Sequence, residues 1–347
     1  MNADGSIGGG PEASVSWAGG GQDLARWSQS HHPSLRSPRT WDHPTWTVDD
    51  LVAAKNGRTV SVVLPALNEE DTVAGVIATI APLVGTLVDE LIVVDSGSTD
   101  RTAERARAAG ARVVTREEAI PGVPAVPGKG EVLWRSIAVT TGDLIAFVDS
   151  DLIDPDPMFV PKMIGPLLAE PAIHLVKGYY RRPLRTGDRQ EPGGGGRVTE
   201  LLARPLLTAL KPELGEVCQP LGGEYAGTRE LFASVRFAPG YGVEIGLLID
   251  AYDRYGLAGI GQVNLGVRTH RNRPLPELAV MSRQIVATLL ERCGIADSGV
   301  GLTQFVVGAD GGFTPHTTEL QHGDRVPVNS LRPDQLRETS AAPPQLR

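Results

Sequence analysis

Apolar positions follow two patterns along this chain. The first is the short unbroken run. "TVSVVLPAL" (59–67), "ELIVVDSGS" (90–98), "ARVVTRE" (111–117) and "DLIAFVDSD" (143–151) are β-branched or aliphatic stretches, all but the third closed by Pro, Gly, Ser or Asp. The second is helical spacing. In "EEDTVAGVIATIAPL" (69–83), Val73, Val76, Ile77 and Ile80 share one face, and "TDRTAERARAAG" (99–110) and "GEVLWRSIAVTTG" (130–142) also read as helices. Before the first strand, "TVDDLVAAKNG" carries a capping-box pattern, Thr47 with Asp50, and Gly57 as its stop. Strand and helix alternate with short connections, and the strands do not alternate polar with apolar. That combination predicts an α/β fold with a mainly parallel sheet covered by helices on both faces.

The second half is less regular. "IHLVKGYYRR" (173–182) predicts a strand, helices are expected around 198–210 and 243–255, and "GIGQVNLGVRTH" (259–270) predicts a further strand. It leads into a long helix, "LPELAVMSRQIVATLLERCG" (275–294). Its stripe of Leu278, Met281, Ile285, Leu289 and Cys293, with Val286 and Leu290 beside it, is broad enough to need a cover. That cover is either the core of the same chain or a second subunit.

Composition changes the picture mainly at the ends. The chain has 347 residues, 41% of them hydrophobic, enough for one large core or two small ones. Residues 1–40 are rich in Gly, Ser, Pro and His with no apolar period, and 306–347 resemble them; both are expected to be flexible tails, and "RTGDRQEPGGGG" (185–196) is a third loose patch. A net charge of −8 argues against a general nucleic-acid binder. The two cysteines, Cys218 and Cys293, lie far apart without metal-ligand spacing, which fits a reduced, cytoplasmic protein. No signal peptide is expected at the start, and no apolar run approaches the ~18–20 residues of a membrane span.

In open parallel sheets ligands bind beyond the carboxyl ends of the strands. Four consecutive units here end in polar or special residues: Pro65, Ala66, Leu67, Asn68 and Glu69; then Asp95, Ser96 and Gly97; then "VPGKG" with Lys129; then Asp149, Ser150 and Asp151. A single aspartate at such a place is commonly a cap, and that is the preferred reading of Asp95 and Asp100. Neither G-x-G-x-x-G nor a Walker-type loop is present at the first turn, so a nucleotide would not be held on a glycine-rich loop. Two carboxylates at i and i+2 can instead face one hard cation that also takes diphosphate oxygens.

"VVLPALNEE", "VVDSGSTD" and "FVDSDL" together resemble the GT-A glycosyltransferases, whose fold uses a nucleotide-sugar and a D-x-D metal motif. "GKGEVLWRS", "GGGRVTELLARPLL", "GEYAGTRE", "FAPGYGVEIGLLID" and "QVNLGVRTHRNRPL" resemble a narrower family, the actinobacterial glucosyl-3-phosphoglycerate synthases. The resemblance covers roughly residues 40–305. It implies a retaining transfer of glucose from UDP-glucose, or GDP-glucose, to D-3-phosphoglycerate, as an early step of methylglucose lipopolysaccharide synthesis. It also implies a homodimer, a nucleotide-sugar half at 41–180, and an acceptor-binding half with a dimerisation helix at 181–305.

The site residues follow from the same resemblance. Pro65, Ala66, Leu67, Glu69 and Ser96 would surround uracil and ribose, and Lys129, between two glycines, would meet a phosphate or the uridine. Asp151 would bind the metal directly and Asp149 the ribose or the metal's outer shell, with Ser150 between them. His270 would be the third metal element, in a basic cluster with Arg268, Arg271, Asn272 and Arg273. The metal would be Mg2+, and a histidine ligand also suits Mn2+. Tyr241, Val243 and Glu244 would contact glucose, with Glu244 a sugar binder rather than a nucleophile. Gly196, Arg197 and Thr199, opening a helix, would take the acceptor phosphate, and Asn272 the acceptor's other end. Asp149, Asp151, Glu244 and Lys129 form the expected catalytic set. Other readings are a GT-A enzyme with a mannosyl donor or a lipid-phosphate acceptor, a nucleotidyltransferase, and a non-catalytic nucleotide-binding regulator. "LPALNEE" lacks the Gly- and Arg-rich turn expected of a nucleotidyltransferase.

Overall fold

A computed structural model describes residues 37–181, 184–186, 189–191, 196–268, 274–308, 311–320 and 323–336. Edge strand β1 (Arg39–Trp41) precedes α1 (Val48–Ala54). Four units follow: β2 (Val60–Ala66), α2 (Val73–Ile80); β3 (Glu90–Asp95), α3 (Thr102–Ala108); β4 (Arg112–Thr115), α4 (Arg116–Ala119), α5 (Lys129–Val139); β5 (Leu144–Phe147), α6 (Phe159–Ala169). Then come β6 (Leu175–Arg181), β7 (Leu184–Thr186), β8 (Arg189–Glu191), α7 (Arg204–Leu210), β9 (Tyr225–Thr228), α8 (Arg229–Ser234), α9 (Val243–Tyr255), β10 (Ile260–Val267), α10 (Leu275–Arg292), β11 (Leu302–Val307), β12 (Phe313–Thr318) and α11 (Pro333–Leu336).

Eight strands form one sheet in the order β1-β10-β6-β9-β5-β2-β3-β4. All neighbours are parallel except β9, which runs antiparallel between β5 and β6. Alternate residues feed opposite faces: Val62, Leu64 and Val93 enter one core, Val63, Ile92 and Val94 the other. Covered faces on both sides explain why the strands read as unbroken apolar runs. The predicted capping box is present, with Thr47 and Asp50 bonding reciprocally at the start of α1.

Three features depart from the expectations. Among the described residues regular structure begins with β1 at Arg39, eight residues before Thr47 and inside the segment expected to be a tail, because Arg39–Trp41 pairs with Gly261–Val263. The segment 306–347, expected to be a flexible tail, is built in its described parts: β11 and β12 form an antiparallel hairpin. Arg325 then exchanges backbone bonds with Phe237 and pairs with the fully buried Glu131 at 2.5 and 2.8 Å. Trp134 Nε1 donates to the Val326 carbonyl at 2.7 Å. The third is the stripe of α10. Ile285 and Leu289 are in the chain's own core, and Leu278, Met281 and Cys293 pack against it, so the same chain covers these five, while Val286 and Leu290 stay half-buried beside them.

Candidate active site

The carboxyl ends of β2, β3 and β5 converge on one cleft of about 620 Å³. At the end of β2 the chain turns through Asn68, whose φ of 56° is the left-handed region that Asn tolerates. Asn68 Oδ1 accepts from Thr99 N at 2.9 Å, and the Glu69 amide donates to Thr102 Oγ1 at 2.8 Å, so the first turn is tied to the second. Asp95 accepts from Ser98 within its own turn, and Asp100 accepts from the Thr102 amide. Both brace turns rather than cap a helix as expected, since the N-cap of α3 is Arg101, without a side-chain cap bond. Pro65, Ala66, Leu67, Glu69 and Ser96 all line the cleft.

Asp149, Ser150 and Asp151 leave β5 at the floor of the same cleft. The buried Ser150 hydroxyl donates to the Pro65 carbonyl at 2.7 Å, which ties the D-x-D turn to the end of β2. Arg268, beyond β10, is only 5% exposed. It reaches Asp149 at 2.7 Å and Asp151 at 3.2 Å with the same nitrogen, Nη2. Its Nε donates to Glu224 at 2.9 Å, and its guanidinium lies 5.5 Å from the Tyr180 ring centroid. Tyr180 in turn donates to the other oxygen of Glu224 at 2.5 Å.

Lys129 opens α5 and bridges the two halves of the site. Its ammonium lies 2.7 Å from Asp149 and 2.8 Å from Glu244, near the start of α9. Burial works against its charge, yet the Asp149 and Glu244 carboxylates overcome that and hold the ammonium well above the ordinary lysine value. Gly130 permits this approach, since a Cβ there would fall 1.8 Å from the Ala238 carbonyl.

The remaining walls come from the second half of the chain. Gly196, with φ 81°, precedes the helical turn that carries Arg197 and Thr199, and all three line the cleft. Tyr241 lines it too, its amide donating to Gln284 of α10 at 2.9 Å. Leu278, Met281, Gln284 and Ile285 of α10 complete that side. Val243 is different: its side chain is fully buried in the core, so it could offer a sugar only its backbone. His270 and Asn272 lie outside the described residues.

Sequence reasoning missed Glu224, Lys177, Gly223 and Gln284. A signal existed for two of them: Lys177 and Glu224 are charges inside or beside apolar strands, where an unpaired charge is rarely tolerated. Among the described residues no group of three His, Cys, Asp or Glu could hold a metal ion. Asp149 and Asp151 supply hard oxygen donors of the kind that Mg2+ and Mn2+ take, with room in the cleft for ligand oxygens. Gly223 keeps Asp149 free of crowding from behind, because a Cβ would fall 2.3 Å from Oδ2.

Residues 61–229 match the model of glycosyl transferase family 2. A glucosyl-3-phosphoglycerate synthase of Mycolicibacterium smegmatis is 68% identical over 308 residues, 89% of this chain and 99% of its own length. The fold is similar to a Mycobacterium tuberculosis glucosyl-3-phosphoglycerate synthase crystallised with Mn2+, UDP-glucose and phosphoglyceric acid. The TM-score is 0.78 and the identity 61%, covering 85% of this chain and 99% of that one. A second crystal structure of that enzyme, with Mg2+ and UDP, gives a TM-score of 0.79 at 62% identity over 85% and 99% of the two chains.

Proposed function

The chain belongs to the glucosyl-3-phosphoglycerate synthase family, and from that premise we propose that its cleft moves glucose from UDP-glucose to the hydroxyl of D-3-phosphoglycerate. The observation that carries this reading is the arrangement at the cleft floor. Two carboxylates at a strand end are held by Lys129 and Arg268, between a turn suited to a nucleoside and a helical turn suited to an anion.

Pro65, Ala66, Leu67, Glu69 and Ser96 hold uracil and ribose. Asp151 holds the metal, with His270 as a second ligand, and Asp149 serves the ribose or the metal's outer shell. Bound Mg2+ or Mn2+ supplies Lewis-acid stabilisation of the charge that grows on the diphosphate. Lys129 and Arg268 add fixed positive charge beside the same oxygens. Tyr241 and Glu244 orient the glucose. Glu244 is engaged by Lys129 at 2.8 Å, which suits a sugar binder rather than a nucleophile. Gly196, Arg197 and Thr199 take the acceptor phosphate and Asn272 its other end. With retention, the acceptor hydroxyl attacks C1 on the face from which the diphosphate leaves; the C1–O bond to diphosphate breaks as the new one forms, and the hydroxyl proton passes to the departing phosphate oxygen.

Incubation with UDP-glucose, 3-phosphoglycerate and Mg2+ tests the reading. The expected result is UDP release that requires the acceptor and yields glucosyl-3-phosphoglycerate. Acceptor-independent release, or none with either metal, refutes it.

Among the described residues no helix is long and apolar enough to cross a membrane. We place the reaction in the cytoplasm, where Cys218 and Cys293, both free, stay reduced. We also propose a homodimer. With the stripe of α10 committed to its own chain, the contact moves to exposed apolar residues beyond it, Val300, Phe305, Val306, Val307 and Phe313. Light scattering at micromolar concentration should give twice the monomer mass; a fully active monomer rejects the proposal.

A further inference from the structure

We propose that Lys177, which does not line the cleft, is a positioning residue for the transfer: it holds the tip of the turn at 221–223 against the Asp149 carboxylate. This rests on the glucosyl-transfer reading above and adds a residue to it. Lys177 sits inside β6 and is 2% exposed. Among the described residues it forms no ion pair. Its Nζ donates to the Gly222 carbonyl at 2.6 Å and lies 4.5 Å from the Tyr225 ring centroid. A buried ammonium with no carboxylate at ion-pair distance is a costly way to fill space, and methionine has nearly the same shape without the charge. Its presence therefore calls for a role that packing does not supply.

The turn explains that role. Leu221 and Gly223 line the cleft, and Gly223 backs directly onto Asp149. The flanks of the turn are fixed by backbone: the Gly178 amide donates to the Glu224 carbonyl at 2.9 Å, and the Gly222 amide to Gln219 at 3.1 Å. At the tip, the Gly222 carbonyl has Lys177 as its partner. Releasing it lets Gly223 move relative to Asp149, and with it one wall of the space where donor diphosphate and sugar meet. The charges facing Lys177 are Glu244 of α9, Lys129 of α5, Glu224 beside β9 and Asp149 beyond β5. Burial, reinforced by Lys129, brings the Lys177 ammonium down to about 8 against the pull of the carboxylates.

The test is K177M in the full chain, assayed with UDP-glucose, 3-phosphoglycerate and Mg2+. The expected result is a kcat lower by about ten- to a hundredfold, with the KM for 3-phosphoglycerate within about threefold and a thermal midpoint at or above wild type. Amide hydrogen exchange should accelerate at 219–223 and stay unchanged in the rest of the sheet. G223A, which pushes a Cβ onto Asp149, should reproduce the kcat loss with Lys177 intact. A kcat within about twofold of wild type, unchanged exchange at 219–223, or a K177M protein that melts well below wild type each overturns the inference. The exchange result decides it even if the wild-type protein transfers no glucose to 3-phosphoglycerate, an outcome that removes the proposed function and not the role of Lys177 in the turn.

Discussion

The two halves of the cleft are built on different principles. Between β2 and β5 the residues that line the cleft stand at strand ends or, for Lys129, at the start of α5, and the turns are tied to one another by bonds such as Asn68 to Thr99 and Ser150 to Pro65. Between β6 and β10 the supporting charges stand inside or beside strands and are nearly or fully buried: Lys177, Glu224 and Arg268. The first half exposes its groups to the cleft; the second neutralises and braces them from behind. A mutation in the first should therefore cost activity with little loss of fold, whereas a mutation in the second should disturb both, Lys177 excepted.

The largest effect expected is on stability. R268M removes the cation shared by Asp149, Asp151 and Glu224 and leaves the fully buried Glu224 unpaired. Breaking a buried pair this way costs about 3–5 kcal/mol, readable as a lower urea midpoint. An unchanged midpoint would erase the distinction between the halves. D151A should do the reverse. It sits at a strand end outside the core, so the protein should melt near wild type while turnover falls at least about a hundredfold. A well-folded D151A enzyme with near-normal turnover would remove the D-x-D turn from the chemistry.

R197A sharpens the comparison within the cleft. A charge-assisted bond to phosphate contributes about 1.5–3 kcal/mol, so the KM for 3-phosphoglycerate should rise roughly ten- to a hundredfold while that for UDP-glucose changes little. A shift confined to UDP-glucose would move the acceptor site elsewhere. The smallest effect concerns pH. Lys177 titrates near 8 when folded, below its ordinary 10.5, so between those values the unfolded chain binds more protons. The burial penalty is present in full below pH 8 and fades as pH rises toward 10.5. Wild type should thus gain on K177M by about 1 kcal/mol between pH 8 and 9. A gap between the two proteins that is flat over this interval would mean that the folded ammonium titrates like a free lysine.

The first half was legible because its signals are local. A β-branched run followed by Pro-Ala-Leu-Asn or Asp-Ser-Asp specifies a strand and its exit within about ten residues. The capping box at Thr47 could be read the same way. Glu244, Lys129 and Arg268 were found through motif resemblance, but their pairing was not readable, since Lys129 and Glu244 are 115 positions apart and meet only when α5 and α9 present their first turns to one cleft.

The sequence by itself determined the α/β class, the parallel order of the early strands and the carboxylates at their ends, because apolar period and turn chemistry act over a few residues. Tertiary structure decided the rest. It set the four-residue strand β9 antiparallel between β5 and β6, which carries Glu224 and the Gly223 turn under the D-x-D motif. It spent the stripe of α10 on the core and the cleft wall of its own chain, and it brought Arg325 across 194 positions to the buried Glu131. Each of these depends on a partner distant in the chain, and a buried charge or a short strand carries no mark in its own neighbourhood of which partner will satisfy it.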